Sequence, residues 1–367
     1  MSSFTELVVS KDPMSKKIQV GLIFGGRSAE HEISLLSASA IRENLEKAGF
    51  GVRSIYITKK GFWRPVKGPA PVPDGPSRGR AFSFLPWKAG EAPLLAGIDI
   101  YFPVLHGPFG EDGTIQGLLE MAGVPYVGSG VLGSALAMDK ASAKSVLRDR
   151  GFPVPPWTTV TESEWRTGKT GVLRRIRGGL PLPVFIKPSR LGSSVGITKV
   201  QEPAGIAPAL ETAFRYDTKA LVEKGIVGRE IECSVLGNDA PEASLPGEIL
   251  PHREFYDYRD KYIEGKTRFV IPAALPARTI ERARRLAVEA FKALDGSGLA
   301  RVDFFLEKGT NRLVVNELNT IPGFTEISMF PKLWAASGMP FPRLLARLVE
   351  LGFERHRSRR TCLERDR

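Results

Sequence analysis

RVDFFLEKGTNRLVVNELN, Arg301 to Asn319, reads as two alternating strands around a turn at Lys308 to Asn311. Centring the turn on Thr310 pairs Asp303 with Glu317, Arg301 with Asn319 and Phe305 with Val315. The open end of the hairpin then carries polar side chains on one face. Opposed Cβ atoms on an antiparallel pair lie about 4.5–5.5 Å apart, and like charges facing each other there destabilise the sheet unless something compensates. A divalent cation would do so. Oxygen ligands from Asp303, Glu317 and Asn319, without His or Cys, suit hard Mg²⁺ better than zinc and leave coordination positions for substrate phosphates. The plainer alternatives are a solvent-facing hairpin and a carboxylate pair neutralised by Arg301.

Upstream, KPSRLGSSVG (Lys187 to Gly196) joins two strands with small residues whose free N–H groups can cradle phosphate oxygens. It is no Walker loop, because the lysine precedes the glycines and a strand follows. A flap closing over phosphates fits, and a mobile Gly/Ser turn is the competing reading. Lys187 ends an apolar strand and needs an anionic partner if partly buried. Lys140, in Met138-Asp139-Lys140, offers a second phosphate contact or is a lone surface lysine. Glu223 and Lys224, ending Ala220 to Val222, set backbone groups against adenine and a carboxylate against ribose hydroxyls, or are solvated strand-end charges.

Around these lie two textures. Ile18 to Phe24, Gly25-Gly26 and Ile33 to Ala48 read as strand, turn and helix, followed by strand Val52 to Ile57, a Pro- and Gly-rich stretch Lys59 to Leu95, and strand Ile98 to Leu105. Alternating strands and helices imply an α/β sheet, whose ligands gather at the carboxyl ends of its strands. Gly25 to Glu30 and His106 to Asp112 both occupy that edge. One helix, about Leu132 to Arg150, leads to a Pro-rich boundary near 130 to 155. Beyond it, short strands with glycine turns and few long helices suggest an α+β nucleotide-binding half, with one amphipathic helix at Thr279 to Asp295.

The 367 residues are enough for two or three packed units, and 42% hydrophobic with 25% charged residues is the mix of an ordered globular protein. Lys and Arg number 52 against 40 Asp and Glu, a net +12 that calls for an anionic partner. The excess sits in Arg174 to Arg177, Arg278 to Arg285 and Glu354 to Arg367, which lack the interleaved aromatics of a nucleic-acid surface and read as solvated faces or a loose terminus. A basic nucleic-acid-binding protein stays as the non-enzyme alternative. Two cysteines, Cys233 and Cys362, make no disulfide framework. With no signal-peptide pattern and no run of roughly 18 apolar residues, the expected location is the cytoplasm.

Five motifs in order, GGRSAEHEIS (Gly25 to Ser34), LHGPFGEDGTIQG (Leu105 to Gly117), KPSRLGSSVG, EFYDYRDKY (Glu254 to Tyr262) and NELNTIPGFTEISM (Asn316 to Met329), resemble the D-alanine:D-alanine ligase family of ATP-grasp enzymes. The resemblance spans Ile18 to Leu351. It implies an ATP-grasp fold with an N-terminal preATP-grasp, Rossmann-like domain: residues 18–130, a central subdomain 131–225 and a C-terminal subdomain 226–352, flanked by a leader (1–17) and a basic tail (353–367). It implies that ATP activates one D-alanine as an acyl phosphate, which the amine of a second displaces, for peptidoglycan precursor synthesis, in a homodimer. By motif, Glu30 holds the first ammonium, and Ser193, Tyr262 and Glu230 orient Glu30 or the lid. Lys140, Lys187 and Lys261 take ATP phosphates, with Ser194 in the phosphate loop and Glu223, Lys224 and Glu230 near the adenosine. Asp303, Glu317 and Asn319 bind two Mg²⁺, with Mn²⁺ as substitute. Arg301 and the Gly323 N–H steady the tetrahedral oxyanion, Ser328 and Met329 meet the second substrate, and His106 touches phosphate or substrate. Tyr262 favours the dipeptide over the D-alanyl-D-lactate product. The alternatives are a D-alanine:D-lactate ligase or another ATP-grasp carboxylate-amine ligase.

Overall fold

The computed structural model describes residues 16–67, 97–250, 267–325 and 327–363. Tyr262, Lys261 and the rest of the 254–262 motif lie outside them, as do most of the leader and of the 59–95 stretch. Strand β1 (Gln19–Gly25) lies parallel to β2 (Gly51–Ile57) and to a later strand at Ile100–Val104, with β3 (Trp63–Val66) antiparallel on the β2 edge. The Ile100–Val104 strand is β4. Helix α1 (His31–Lys47) covers one face and α2 (Thr114–Met121) belongs to the other. Val20, Leu22 and Phe24 pack toward Ile41 and Leu45, while Ile23 packs with Ile55, Ile115 and Leu119. Burial on both faces is why β1 reads as an unbroken apolar run. Gly25 takes φ +92°, and a Cβ there would sit 2.2 Å from the Ile57 carbonyl oxygen, so only glycine turns the chain off this edge.

The single helix expected over 132–150 is two: α3 (Val131–Met138) and α4 (Lys140–Asp149). Asp139 breaks them with ψ 98°, its side chain accepting from Ser142 N at 3.0 Å to cap α4. The Lys140 N–H goes instead to the Ser189 carbonyl at 3.0 Å, pinning α4 to the phosphate loop. Next come β5 (Trp157–Thr161), α5 (Glu162–Gly179), β6 (Val184–Pro188), β7 (Thr198–Val200), α6 (Ile206–Ala213) and β8 (Lys219–Lys224). The four strands form an antiparallel sheet ordered β5-β8-β6-β7. Trp165, Val172 and Ile176 of α5 and Leu210 of α6 close its core.

The third sheet runs β12-β11-β9-β13-β14, with β10 on β9. Its strands are β9 (Gly228–Gly237), β10 (Glu242–Ala243), β11 (Gly247–Leu250), β12 (Arg268–Val270), β13 (Gly298–Glu307) and β14 (Leu313–Asn319). Helix α7 (Ala277–Ala293) lays Ala283, Ala287, Ala290 and Phe291 against it, and α8 (Met329–Ala336) and α9 (Phe341–Leu363) follow. The second half thus holds more helix than expected, 18 residues in α5, which kinks at Gly168, and 23 in α9. Residues 354–359, read from sequence as a loose terminus, continue α9. Leu344, Leu345 and Leu348 of α9 enter the core of the first sheet, and Arg355 lies 4.0 Å over the Tyr126 ring.

Candidate functional site

The hairpin pairs Arg301 with Asn319 and Asp303 with Glu317, as its sequence predicts, but Phe305 faces Val314 instead of Val315. The turn is centred half a residue earlier than Thr310, and a β-bulge between these pairs, at Asn316, restores the register at the open end. Below the sheet, Val302, Phe304, Leu306, Leu313, Val315 and Leu318 are buried together. Above it the charges are already engaged. Arg301 donates from Nε and Nη2 to the two Asp303 oxygens, each at 2.7 Å, and its Nε lies 3.0 Å from Glu232 Oε2. Asn319 Nδ2 donates to Asp303 Oδ2 at 3.0 Å, and Lys140 Nζ lies 3.3 Å from Glu317 Oε2. Burial opposes the Arg301 charge, but Asp303 and Glu232 outweigh it and raise its pKa well above the usual value. Among the described residues no cluster of three or more His, Cys, Asp or Glu is gathered for a metal ion. The ligand set fits a hard cation only as two carboxylates and an amide oxygen, with Lys140 and Arg301 as present counter-charges.

A cavity of about 410 Å³ separates this sheet from the second, within the size range of small-molecule sites. Lys140, Lys187, Ser193, Ser194, Glu223, Lys224, Glu230, Asp303 and Glu317 all line it, so two sheets bring most of the nucleotide and metal candidates together. Glu223 is no solvated strand end. It is 2% exposed, with Lys187 Nζ on Oε1 and Lys144 Nζ 3.1 Å from Oε2. Burial pushes its carboxyl up, yet the two lysines outweigh that and hold it below the usual range. The carboxylate expected beside ribose is thus taken by lysines. Lys144 escaped the sequence reading; its place in α4 one turn after Lys140 is the only signal that points to it.

Past Lys187, Ser193 and Ser194 stand at φ 49° and 59°, left-handed positions that tilt the loop across to the first sheet. There Ser193 Oγ donates to Glu30 Oε1. Glu30, just before α1, is wedged between glycines: a Cβ on Gly107 or Gly192 would fall 2.7 or 2.9 Å from its Oε2. Glu230 lines the same cavity, and Tyr262, the third member expected with Ser193, is outside the described residues.

His106 is buried and braces the loop of Gly323 instead of facing solvent from a polar turn. Its Nδ1 lies 3.0 Å from the Ile321 carbonyl, which can only accept, so Nδ1 donates and Nε2 accepts from Ser37 Oγ at 3.2 Å. Burial holds the imidazole below its usual pKa against the pull of Glu30. Phe324 N donates to Ser37 Oγ at 3.3 Å, and the Phe324 ring packs 5.3 Å from Phe330. Gly323 is thereby fixed beside Ser328, whose Oγ would lie 2.7 Å from a Cβ at 323. Ser328 is the N-cap residue of α8 but its side chain makes no cap; its Oγ accepts from Thr325 N at 3.0 Å. The Met329 side chain is buried with Ile249 and Leu333.

Glu111, inside the motif Leu105 to Gly117, is a buried carboxyl of the candidate site to which the sequence alone assigns no role. Its oxygens accept from Gly107 N at 2.8 Å and Ile321 N at 3.3 Å, tying the same loop. Burial, then the neighbouring Glu30 charge, pushes its carboxyl up to about 8.

Two family models match in sequence order: the D-ala D-ala ligase N-terminus over residues 19–129 and the D-ala D-ala ligase C-terminus over 146–350. The chain belongs to the D-alanine–D-alanine ligase family. Curated members named D-alanine--D-alanine ligase include one from Solibacter usitatus, 50% identical over 94% of this chain and 98% of its own length, and one from Natranaerobius thermophilus, 46% identical over 94% and 97%. Among solved family structures, the D-alanine-D-alanine ligase of Coxiella burnetii aligns with TM-score 0.83 at 39% identity, over 95% of this chain and 97% of that one. The VanG D-Ala:D-Ser ligase of Enterococcus faecalis aligns with TM-score 0.79 at 36% identity, over 92% and 100%. The fold is therefore ATP-grasp, and the family is one of ligases.

Proposed function

We propose that this chain joins two D-alanines into D-alanyl-D-alanine at the expense of ATP, for peptidoglycan precursor synthesis. The observation that carries the reading is the cavity between two sheets, where Lys140 and Lys187 stand opposite Asp303 and Glu317 while Ser193 reaches Glu30. ATP lies between residues 131–225 and 226–352, with residues 18–130 supplying Glu30. Asp303, Glu317 and Asn319 would hold two Mg²⁺, or Mn²⁺ in their place, which would supply neutralisation of phosphate charge.

Glu30 holds the ammonium of the first D-alanine. The carboxylate of that D-alanine forms a bond to the γ-phosphorus as the bond to ADP breaks, and Lys140 and Lys187 balance the phosphate charge. Ser328 at the start of α8 takes the carboxylate of the second D-alanine. Its amine attacks the acyl carbon, Arg301 and the Gly323 N–H stabilise the oxyanion, and inorganic phosphate and a proton leave. Lys261 and Tyr262 belong to the lid of this reading. A homodimer in the cytoplasm accompanies it; among the described residues no helix is long and apolar enough to cross a membrane.

The test is phosphate release with ATP, Mg²⁺ and D-alanine alone. ADP, phosphate and dipeptide are expected; AMP with pyrophosphate, or no turnover, defeats the reading. A second reading, with another second substrate, draws on the structural relative named a D-Ala:D-Ser ligase. Offering D-serine or D-lactate beside D-alanine and weighing the products separates the two.

A further inference from the structure

Lys187 and Lys144 meet the same carboxylate. Glu223 takes Lys187 on Oε1 and Lys144 on Oε2, the latter at 3.1 Å. The two lysines differ in what else they face. Lys187 lines the cavity, whereas Lys144 is not among the residues that line it and has a side chain only 1% exposed. Lys144 Nζ also donates to the Asn316 carbonyl at 2.9 Å, the residue where the β14 bulge sits beside Glu317. Lys140, one turn earlier on α4, donates to the Leu191 carbonyl at 2.7 Å in the phosphate loop.

If Lys187 were the sole partner of Glu223, moving it to a phosphate would strand a buried carboxylate, which is strongly unfavourable. With Lys144 present, two lysines and one carboxylate leave one positive charge over. An incoming phosphate then pairs with Lys187 while Lys144 keeps Glu223 paired, and no buried charge is left alone.

We propose that Lys144 is a positioning residue for nucleotide binding: as the standing counter-charge of Glu223, it lets Lys187 leave that carboxylate for a phosphate of the incoming nucleoside triphosphate. This rests on the ATP reading above. By anchoring Asn316 it also holds the bulge that sets the register of Glu317 against Asp303.

The experiment compares the whole enzyme with Lys144→Met and Lys144→Met/Glu223→Gln, measuring KM for ATP and for D-alanine, Kd for ADP, and melting temperature. In Lys144→Met the remaining lysine is held by Glu223, so KM for ATP and Kd for ADP should rise about tenfold or more, with KM for D-alanine within about twofold. Removing the carboxylate charge in the double variant should return ADP affinity to within about threefold of the parent. Parental ADP affinity in Lys144→Met overturns the proposal, as does a double variant that regains its melting temperature without its ADP affinity. Should Lys144→Met not fold, a folded double variant decides by the same affinity; failure of both to fold places Lys144 in the fold alone and overturns the proposal. Failure of the ATP reading looks different, since the parent itself would then bind no ADP.

Discussion

On the β13–β14 hairpin, Arg301, Asp303, Glu317 and Asn319 are spaced by strand register above a sealed apolar face; in the 188–196 loop, Ser193 and Ser194 reach their place through left-handed backbone and one hydrogen bond to Glu30. Both regions border the same cavity. The first holds charge in position whether or not anything is bound, because displacing one side chain means disturbing a ladder and a core. The second turns on two left-handed serines and is tied by Ser193 to Glu30 and by Lys140 Nζ to the Leu191 carbonyl. Rigid placement suits groups that must meet developing charge, whereas a loop brings its backbone N–H groups around a bound anion.

Four measurements break or sharpen that contrast. Glu317→Gln keeps shape and packing but removes a charge, so turnover should fall about 10²–10³-fold with little change in melting temperature; near-parental activity would end the metal assignment. Phe304→Ala empties the core beneath the hairpin and should cost about 3–5 kcal/mol of stability, read by denaturant unfolding. Ser193→Ala removes the loop's tie to Glu30, and about 1 kcal/mol, or roughly fivefold in kcat/KM, is expected without loss of stability. A large drop in stability there would mean the loop is built like the hairpin. The last measurement concerns Glu111. Its folded pKa of about 8 stands above the unfolded value near 4.5, so the folded state binds the extra proton and stability falls as pH rises through that window. Glu111→Gln should flatten the dependence of melting temperature on pH between those values.

Much of this contrast is legible in the chain. Alternation in RVDFFLEKGTNRLVVNELN yields the two pairs at the open end, although for a compensating reason: the turn centre is displaced by half a residue and the bulge at Asn316 takes up the difference. Periodicity cannot see a bulge, because one extra residue leaves both flanking alternations intact. The break at Asp139 has a local signal, an Asp three residues before Ser142, but apolar spacing across 132–150 suggests one helix. Helix α5 hides for the opposite reason. Its apolar positions are sparse among arginines, and only the capping box of Thr161 and Glu164 marks its start. Glu223, Lys144 and His106 are the deeper lesson. Burial of a charged or polar side chain depends on partners distant in sequence, here Asn316 with Lys144 and Ile321 with His106, and no local pattern encodes it.

The position of α9 has a consequence for how the chain reaches its native state. Leu344, Leu345 and Leu348 fill the core of a sheet whose strands are translated among the first hundred or so residues. During synthesis the part of that apolar face which these leucines cover stays unfinished until α9 has left the ribosome. Contacts of such long sequence separation are slow to form and leave surface open to association. Folding of this sheet is in this sense conditional on a helix made much later, and shielding of that face by a chaperone during translation is expected to raise the yield of native protein.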